Sequence, residues 1–137
     1  MLGKTWRIVA ENKTGVAFAA TDVITIKTVR WNISSTGARN AETAEATLTA
    51  AGAGNSLAIG GFVATNTQDN TAASTFWFGG EFKFLVTIST ATPAGNVNFY
   101  MQQSTDGGTT WPDNGKGELI KSINFTATGT QVDSLEY

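Results

Sequence analysis

From Thr75 to Ala127 the alternation of apolar and polar positions is regular enough to organise the reading of the whole chain. In Glu81–Ser89, residues Phe82, Phe84, Val86 and Ile88 fall on one side and Glu81, Lys83, Thr87 and Ser89 on the other. A period of two with one apolar side predicts a half-buried strand. After Thr92-Pro93-Ala94-Gly95, Val97, Phe99 and Met101 alternate with Asn98, Tyr100 and Gln102, which predicts a second strand pairing antiparallel with the first. A third, Glu118–Ala127, places Leu119, Ile123 and Phe125 on one face, so the three read as a meander with one apolar side. One such sheet leaves its phenylalanines uncovered, and a second sheet is expected from the first half of the chain.

That first half supplies the segments. Lys4–Ala10 alternates Trp6, Ile8 and Ala10 against Thr5, Arg7 and Val9, and Glu11-Asn12-Lys13 is expected to break the strand. Gly15–Ala20 is short, small and apolar. Asp22–Ile33, rich in Val, Ile and Thr, reads as a central strand. Residues 34–54 turn to alanine, threonine and glycine with one large apolar residue, Leu48. Without an apolar stripe to dock a helix, this stretch is expected to be an irregular arm, with a short helix as the alternative; having little to hold it down, it is a candidate for ordering by a partner. Ser56–Ala64 reads as a strand with a bulge at Gly60-Gly61, Thr65–Ser74 as an exposed polar loop, and Gly79-Gly80 as a possible kink. The expected fold is all-β: one antiparallel β-sandwich over residues 1–137, jelly-roll-like or immunoglobulin-like, with 34–54 as the arm.

Composition narrows the function classes. A chain of 137 residues can bury roughly two thirds of its extended surface in one core. Only 15% of residues are charged, so Thr, Ser, Asn and Gln must cover the surface, and subunit contacts are expected to cover part of it. A net charge of −2 argues against nucleic acid and anionic membranes as partners, no segment is long and apolar enough for a membrane span, and the opening residues fit no signal peptide. Cysteine and histidine are both missing, which removes the thiolate, the commonest general base and the commonest metal ligand. No catalytic residue and no cofactor are expected. Asn12, Asn32 and Asn124 head Asn-x-Ser/Thr triplets, read as chance in a threonine-rich chain.

The link between the second and third strands, Ser104-Thr105-Asp106-Gly107-Gly108-Thr109-Thr110-Trp111, matches the Asp-box pattern Ser-x-Asp-x-Gly-x-Thr-Trp. The resemblance implies a hairpin turn in which Ser104 and Asp106 bond the turn backbone, Gly108 and Thr110 complete it, and Trp111 packs beneath. Asp boxes are familiar from sialidases and related propellers. Those enzymes need an arginine cluster, a tyrosine nucleophile and acidic partners, whereas Arg7, Arg30 and Arg39 are far apart here and the chain is too short for several blades. The motif is therefore read as structural. Asp106, Asp113 and Glu118 flank one loop and are the candidate oxygen ligands for calcium, but their spacing fits no EF-hand; turn residues and a solvated strand end are the plainer reading. A carboxylate pair among them is the only glycosidase candidate. Trp77, Trp111 and Tyr100 are the residues that could stack on sugar rings in a carbohydrate-binding module, against the alternative that they pack in the chain's own hairpin and core.

A small β-domain without cysteine or histidine, with Thr/Ala/Gly-rich loops and the phrase Tyr100–Pro112, resembles virion structural proteins of tailed bacteriophages, particularly capsid decoration (cement) proteins and small tail or fibre accessory proteins. The resemblance lies in the carboxyl-terminal third. It implies a non-enzymatic role in the virion, after assembly in the host cytoplasm: a homo-oligomer, with a trimer favoured, that binds the major capsid or tail protein. The alternative is a carbohydrate-binding or tail/fibre accessory module.

Overall fold

The computed structural model describes residues 2–70, 76–89, 91–111 and 117–137. Among these residues ten strands occur in chain order: β1 (Thr5–Lys13), β2 (Val23–Ile33), β3 (Arg39–Ala41), β4 (Ala46–Thr47), β5 (Phe62–Ala64), β6 (Gln68–Asp69), β7 (Gly79–Ile88), β8 (Gly95–Ser104), β9 (Glu118–Phe125) and β10 (Gly129–Glu136). They form two antiparallel sheets packed face to face. Sheet I runs β5-β1-β8-β9 with β6 also on β1; sheet II runs β10-β7-β2-β3 with β4 also on β2.

The core is the apolar stripe of each long strand. Trp6, Ile8 and Ala10 of β1 and Val97, Phe99 and Met101 of β8 face Ile24 and Ile26 of β2 and Phe82, Phe84, Val86 and Ile88 of β7, all buried. Trp6 meets Phe82 edge-on at 5.7 Å between ring centroids, and Phe84 meets Phe99 at 4.5 Å. Both contacts join one sheet to the other, and they lie in the favoured range for aromatic pairs.

The pairing of the carboxyl-terminal strands differs from the meander expected. Strands β7 and β8 lie in different sheets and face each other across the core, β7 between β2 and β10 and β8 between β1 and β9. A strand with one apolar side can bury it beside a neighbour or opposite one, and the alternation is the same in both cases. Asp22 steers the chain out of β7: its Oδ1 accepts from the Ser89 amide (2.8 Å) and hydroxyl (2.6 Å) and its Oδ2 from the Ala19 amide (2.9 Å). The expected hairpin survives between β8 and β9. There the register shifts between Phe99 and Tyr100, so that Lys121 pairs with Phe99 but Leu119 with Tyr100. This bulge turns Ile120 toward the core and leaves Leu119, expected inside, 54% exposed.

Strand β1 does not break at Glu11-Asn12-Lys13 but continues to Lys13, opposite Asn96 of β8. Asn12 points inward, fully buried, and is satisfied there: its Nδ2 donates to the carbonyls of Val16, Leu57 and Ala58, and its Oδ1 accepts from the Thr14 amide and hydroxyl. It ties two loops to the strand, and its burial removes Asn12 as a glycan acceptor. The same contact shortens the strand expected over Ser56–Ala64 to β5, because Gly60 and Gly61 turn to pair with the Asn12 backbone instead of forming a bulge. The loop expected after Thr65 contains β6 and the buried Asn70, whose side chain bonds the Gly3 and Trp77 carbonyls and the Trp77 amide; residues 71–75 lie outside the described residues. Gly79 and Gly80 open β7 without kinking it.

The arm over 34–54 is irregular chain interrupted by β3 and β4, and it runs along the free side of β2. Glu42 receives the Arg30 guanidinium through two bonds (2.6 and 3.1 Å) and the Arg30 amide (2.8 Å), Glu45 bridges Lys27 and Lys83, and Leu48 is buried in the core. Polar anchors thus hold a segment that lacks an apolar stripe.

Phe84→Ala or Phe99→Ala should destabilise the fold by about 3–5 kcal/mol, since each removes a fully buried ring from a contact that joins the two sheets. Urea unfolding checks this, and a loss under about 1 kcal/mol would place these rings outside the core.

Candidate functional site

The Asp box closes the β8–β9 hairpin with the bonding its residue types suggest. Ser104 ends β8, and its Oγ donates to Asp106 Oδ1 (2.6 Å) while accepting from the amides of Asp106 (3.3 Å) and Gly108 (2.9 Å). Asp106 then takes the Thr110 amide on Oδ1 (2.9 Å) and the Thr110 hydroxyl on Oδ2 (2.6 Å). Gly107 and Gly108 both have positive φ, at 73° and 89°, which lets the turn reverse within four residues. The hydrogen bonds from Ser104, then from the Thr110 side chain and amide, hold the Asp106 carboxyl well below the usual carboxylate range.

Trp111 lies half-buried against Gly108, and the Arg7 guanidinium sits 4.2 Å above its ring. Arg7 also donates from Nε to Gln102 Oε1 (2.7 Å), so Arg7 and Gln102 fix the hairpin on the outer face of sheet I. Farther along that face Glu11 Oε2 accepts from the Tyr100 hydroxyl (2.7 Å), Asn98 Nδ2 donates to the same hydroxyl, and Ser122 Oγ donates to Asn98 Oδ1. Burial, followed by the Glu11 hydrogen bond, raises the Tyr100 phenol above its ordinary pKa. A tyrosine nucleophile needs the opposite shift. The three arginines do not converge on it: Arg7 covers Trp111, Arg30 pairs with Glu42 beside Trp77, and Arg39 covers Trp31.

Two of the three calcium candidates have carboxylate oxygens bonded within the chain, and the third is not described. Both carboxylate oxygens of Asp106 are turned into its own hairpin, Glu118 Oε2 accepts from the Tyr137 hydroxyl at 3.0 Å, and Asp113 lies outside the described residues. Among the described residues no three His, Cys, Asp or Glu side chains lie together as metal ligands would. The sugar-stacking candidates are each covered within the chain. Tyr100 is 8% exposed, while Trp77 and Trp111 are half-buried with a guanidinium over each ring. A third aromatic group, not singled out from the pattern, runs Trp31–Phe78–Phe76 on sheet II, with Phe78 stacked on Trp31 at 6.3 Å and Arg39 at 4.6 Å from the same ring. Its only sequence signal is the density of aromatics between Phe76 and Phe78, which local periodicity cannot tie to Trp31.

No protein-family model, no curated protein and no solved structure matches this chain. What the site can do is therefore read from its geometry. It is a set of turn locks and stacked guanidinium groups on a sheet face, beside a shallow cleft of about 330 Å³ lined by Gly3, Lys4, Gln103, Ser104 and Thr105.

Because the folded-state pKa of Asp106 is depressed, its carboxylate stabilises the hairpin at pH above its unfolded value of about 4, and that contribution fades as pH falls from there toward the lower folded value. Thermal melts of the wild type and Asp106→Ala should therefore differ most near neutral pH, and the gap should narrow below about pH 4. A gap of constant size from neutral to strongly acidic pH would show that the carboxylate charge is not what holds the turn.

Proposed function

We propose that this chain is a non-enzymatic structural protein of a tailed-phage virion, of the capsid decoration (cement) type, which works by laying its sheet faces against other copies of itself and against the shell. The observation that carries this reading is the placement of large apolar side chains outside the core. Leu119 (54% exposed) stands out from sheet I, Ile33 (44%) and Val132 (58%) from sheet II, and Ile59 (60%) from the loop before β5. Burying such side chains against a neighbour is favourable by about 1–2 kcal/mol each, and spread over both broad faces they suit a subunit held on more than one side. The low charge of the chain keeps the desolvation cost of such contacts small. The phrase from Tyr100 to Pro112 supports the phage assignment by resemblance. Trimeric assembly follows from the same reading, since a closed ring matches a threefold position on a lattice.

The test is self-association and particle binding. Native mass spectrometry should find a trimer at micromolar concentration, and the protein should cosediment with undecorated particles of its phage. Leu119→Ser and Ile33→Ser should each weaken association by about tenfold while shifting the melting temperature little, because both side chains already stand in solvent. A monomer at all practical concentrations, with no particle binding, would remove the proposal.

A further inference from the structure

The longest unprotected backbone in a sandwich is normally the free side of an edge strand, where unpaired amides and carbonyls can template another chain. Here the edges next to β1 and β2 are covered by the short strands β5, β6, β3 and β4. The other two edges, β9 and β10, are each eight residues long and pair, among the described residues, with one neighbour, β8 and β7; β10 is the more exposed of the two.

Its register shows which groups face outward. Tyr137, just past β10, exchanges both backbone bonds with Gly80 (2.9 and 3.1 Å), so by the two-residue alternation of an antiparallel ladder Gln131, Asp133 and Leu135 also bond inward. Thr130, Val132, Ser134 and Glu136 are left with their amides and carbonyls on the free side. At Ser134 that side is closed. The Ser134 amide donates to Asp133 Oδ1 at 2.8 Å, and the Ser134 carbonyl accepts from Lys121 Nζ at 3.3 Å. Lys121 reaches across from β9 in the opposite sheet, and its ammonium is held by Asp133 Oδ2 at 2.7 Å. One ion pair therefore caps both backbone groups of the residue in the second half of the edge and puts a side chain across the path of any incoming strand.

We infer that Lys121 and Asp133 form a lock on the free edge of β10, and that opening it lets this edge pair antiparallel with β10 of a second copy of the chain. The register of that pairing is set by the outward-facing residues. A twofold axis at Val132 places Val132 against Val132 of the second copy, which covers a valine now 58% exposed, and it places Thr130 opposite Ser134. All three positions present free-side groups only once Ser134 is released. An exposed ion pair is a modest barrier compared with several new backbone bonds, so the lock decides between a closed subunit and an edge-paired one. This inference stands apart from the virion reading, since it concerns the β10 edge alone and holds whichever surface other partners use.

The chain has no cysteine, so a single introduced thiol reports the contact cleanly. Val132→Cys would lie about 5.5 Å, Cα to Cα, from its counterpart across the twofold axis, within disulfide reach. Thr130→Cys would lie roughly 14 Å from its own counterpart, four residues along the strand. Under mild oxidation, Val132→Cys in the combined Lys121→Met and Asp133→Asn background should form disulfide dimers at least fivefold more than Val132→Cys alone. Lys121→Arg, which keeps the charge, should stay at the lower level, and Thr130→Cys in the unlocked background should not crosslink. Circular dichroism checks that the sandwich is intact, and Lys121→Met alone replaces the double variant if the latter does not fold. Equal crosslinking with and without the lock, no crosslinking in the unlocked protein, or equal crosslinking at Thr130 would each overturn the inference.

Discussion

The contact between β7 and β8 across the core, with Phe84 tilted against Phe99 at 4.5 Å, is the constraint that the rest of the molecule accommodates. These two strands follow each other in the chain and carry the densest apolar stripes, yet they belong to different sheets. Each stripe is thereby covered by the other, and each strand is free to take a partner on both sides: β2 and β10 around β7, β1 and β9 around β8. The arrangement buries both stripes, and its consequence is that the chain passes repeatedly from sheet to sheet.

Those crossings are held by a few buried polar side chains. Asn12, Asp22 and Asn70 are each almost fully buried and bonded to backbone groups distant in sequence. An unpaired polar group in such a place is costly, whereas a satisfied one fixes a single loop path. The arm over 34–54 is secured in the same way, with Glu42 and Glu45 gripping Arg30, Lys27 and Lys83 of the sheet it crosses. The Asp box is the exposed counterpart, a turn whose carboxylate and hydroxyls replace the hydrophobic contacts a longer loop would need.

With the interior arranged this way, the outside has two kinds of surface. The broad faces carry scattered apolar side chains and guanidinium groups laid over tryptophans. The edges beside β1 and β2 are covered by short strands, and the β10 edge is capped by Lys121 and Asp133. Capping the backbone of an exposed edge in this way guards against the run-on pairing that open sheet edges invite.

The sequence by itself determined the fold class, the inward residues of β7 and β8 and the chemistry of the Asp-box turn, because period-two alternation and local turn bonding are both written within a few residues. It also showed Trp6, Ile8 and Ala10 as an inward stripe. Which strands pair, and which only face each other, was decided by tertiary structure, since the alternation of Phe82–Ile88 is the same in either case. The bulge that turned Leu119 outward and Ile120 inward depends on register with Phe99 and Tyr100, and no local signal marks it. Asn12 and Asn70 read as loop residues because their partners lie up to 67 positions away. The grip of Glu42 on Arg30 and the reach of Lys121 to β10 are likewise long-range polar contacts, whose free energy comes from geometry that exists only once both sheets have formed.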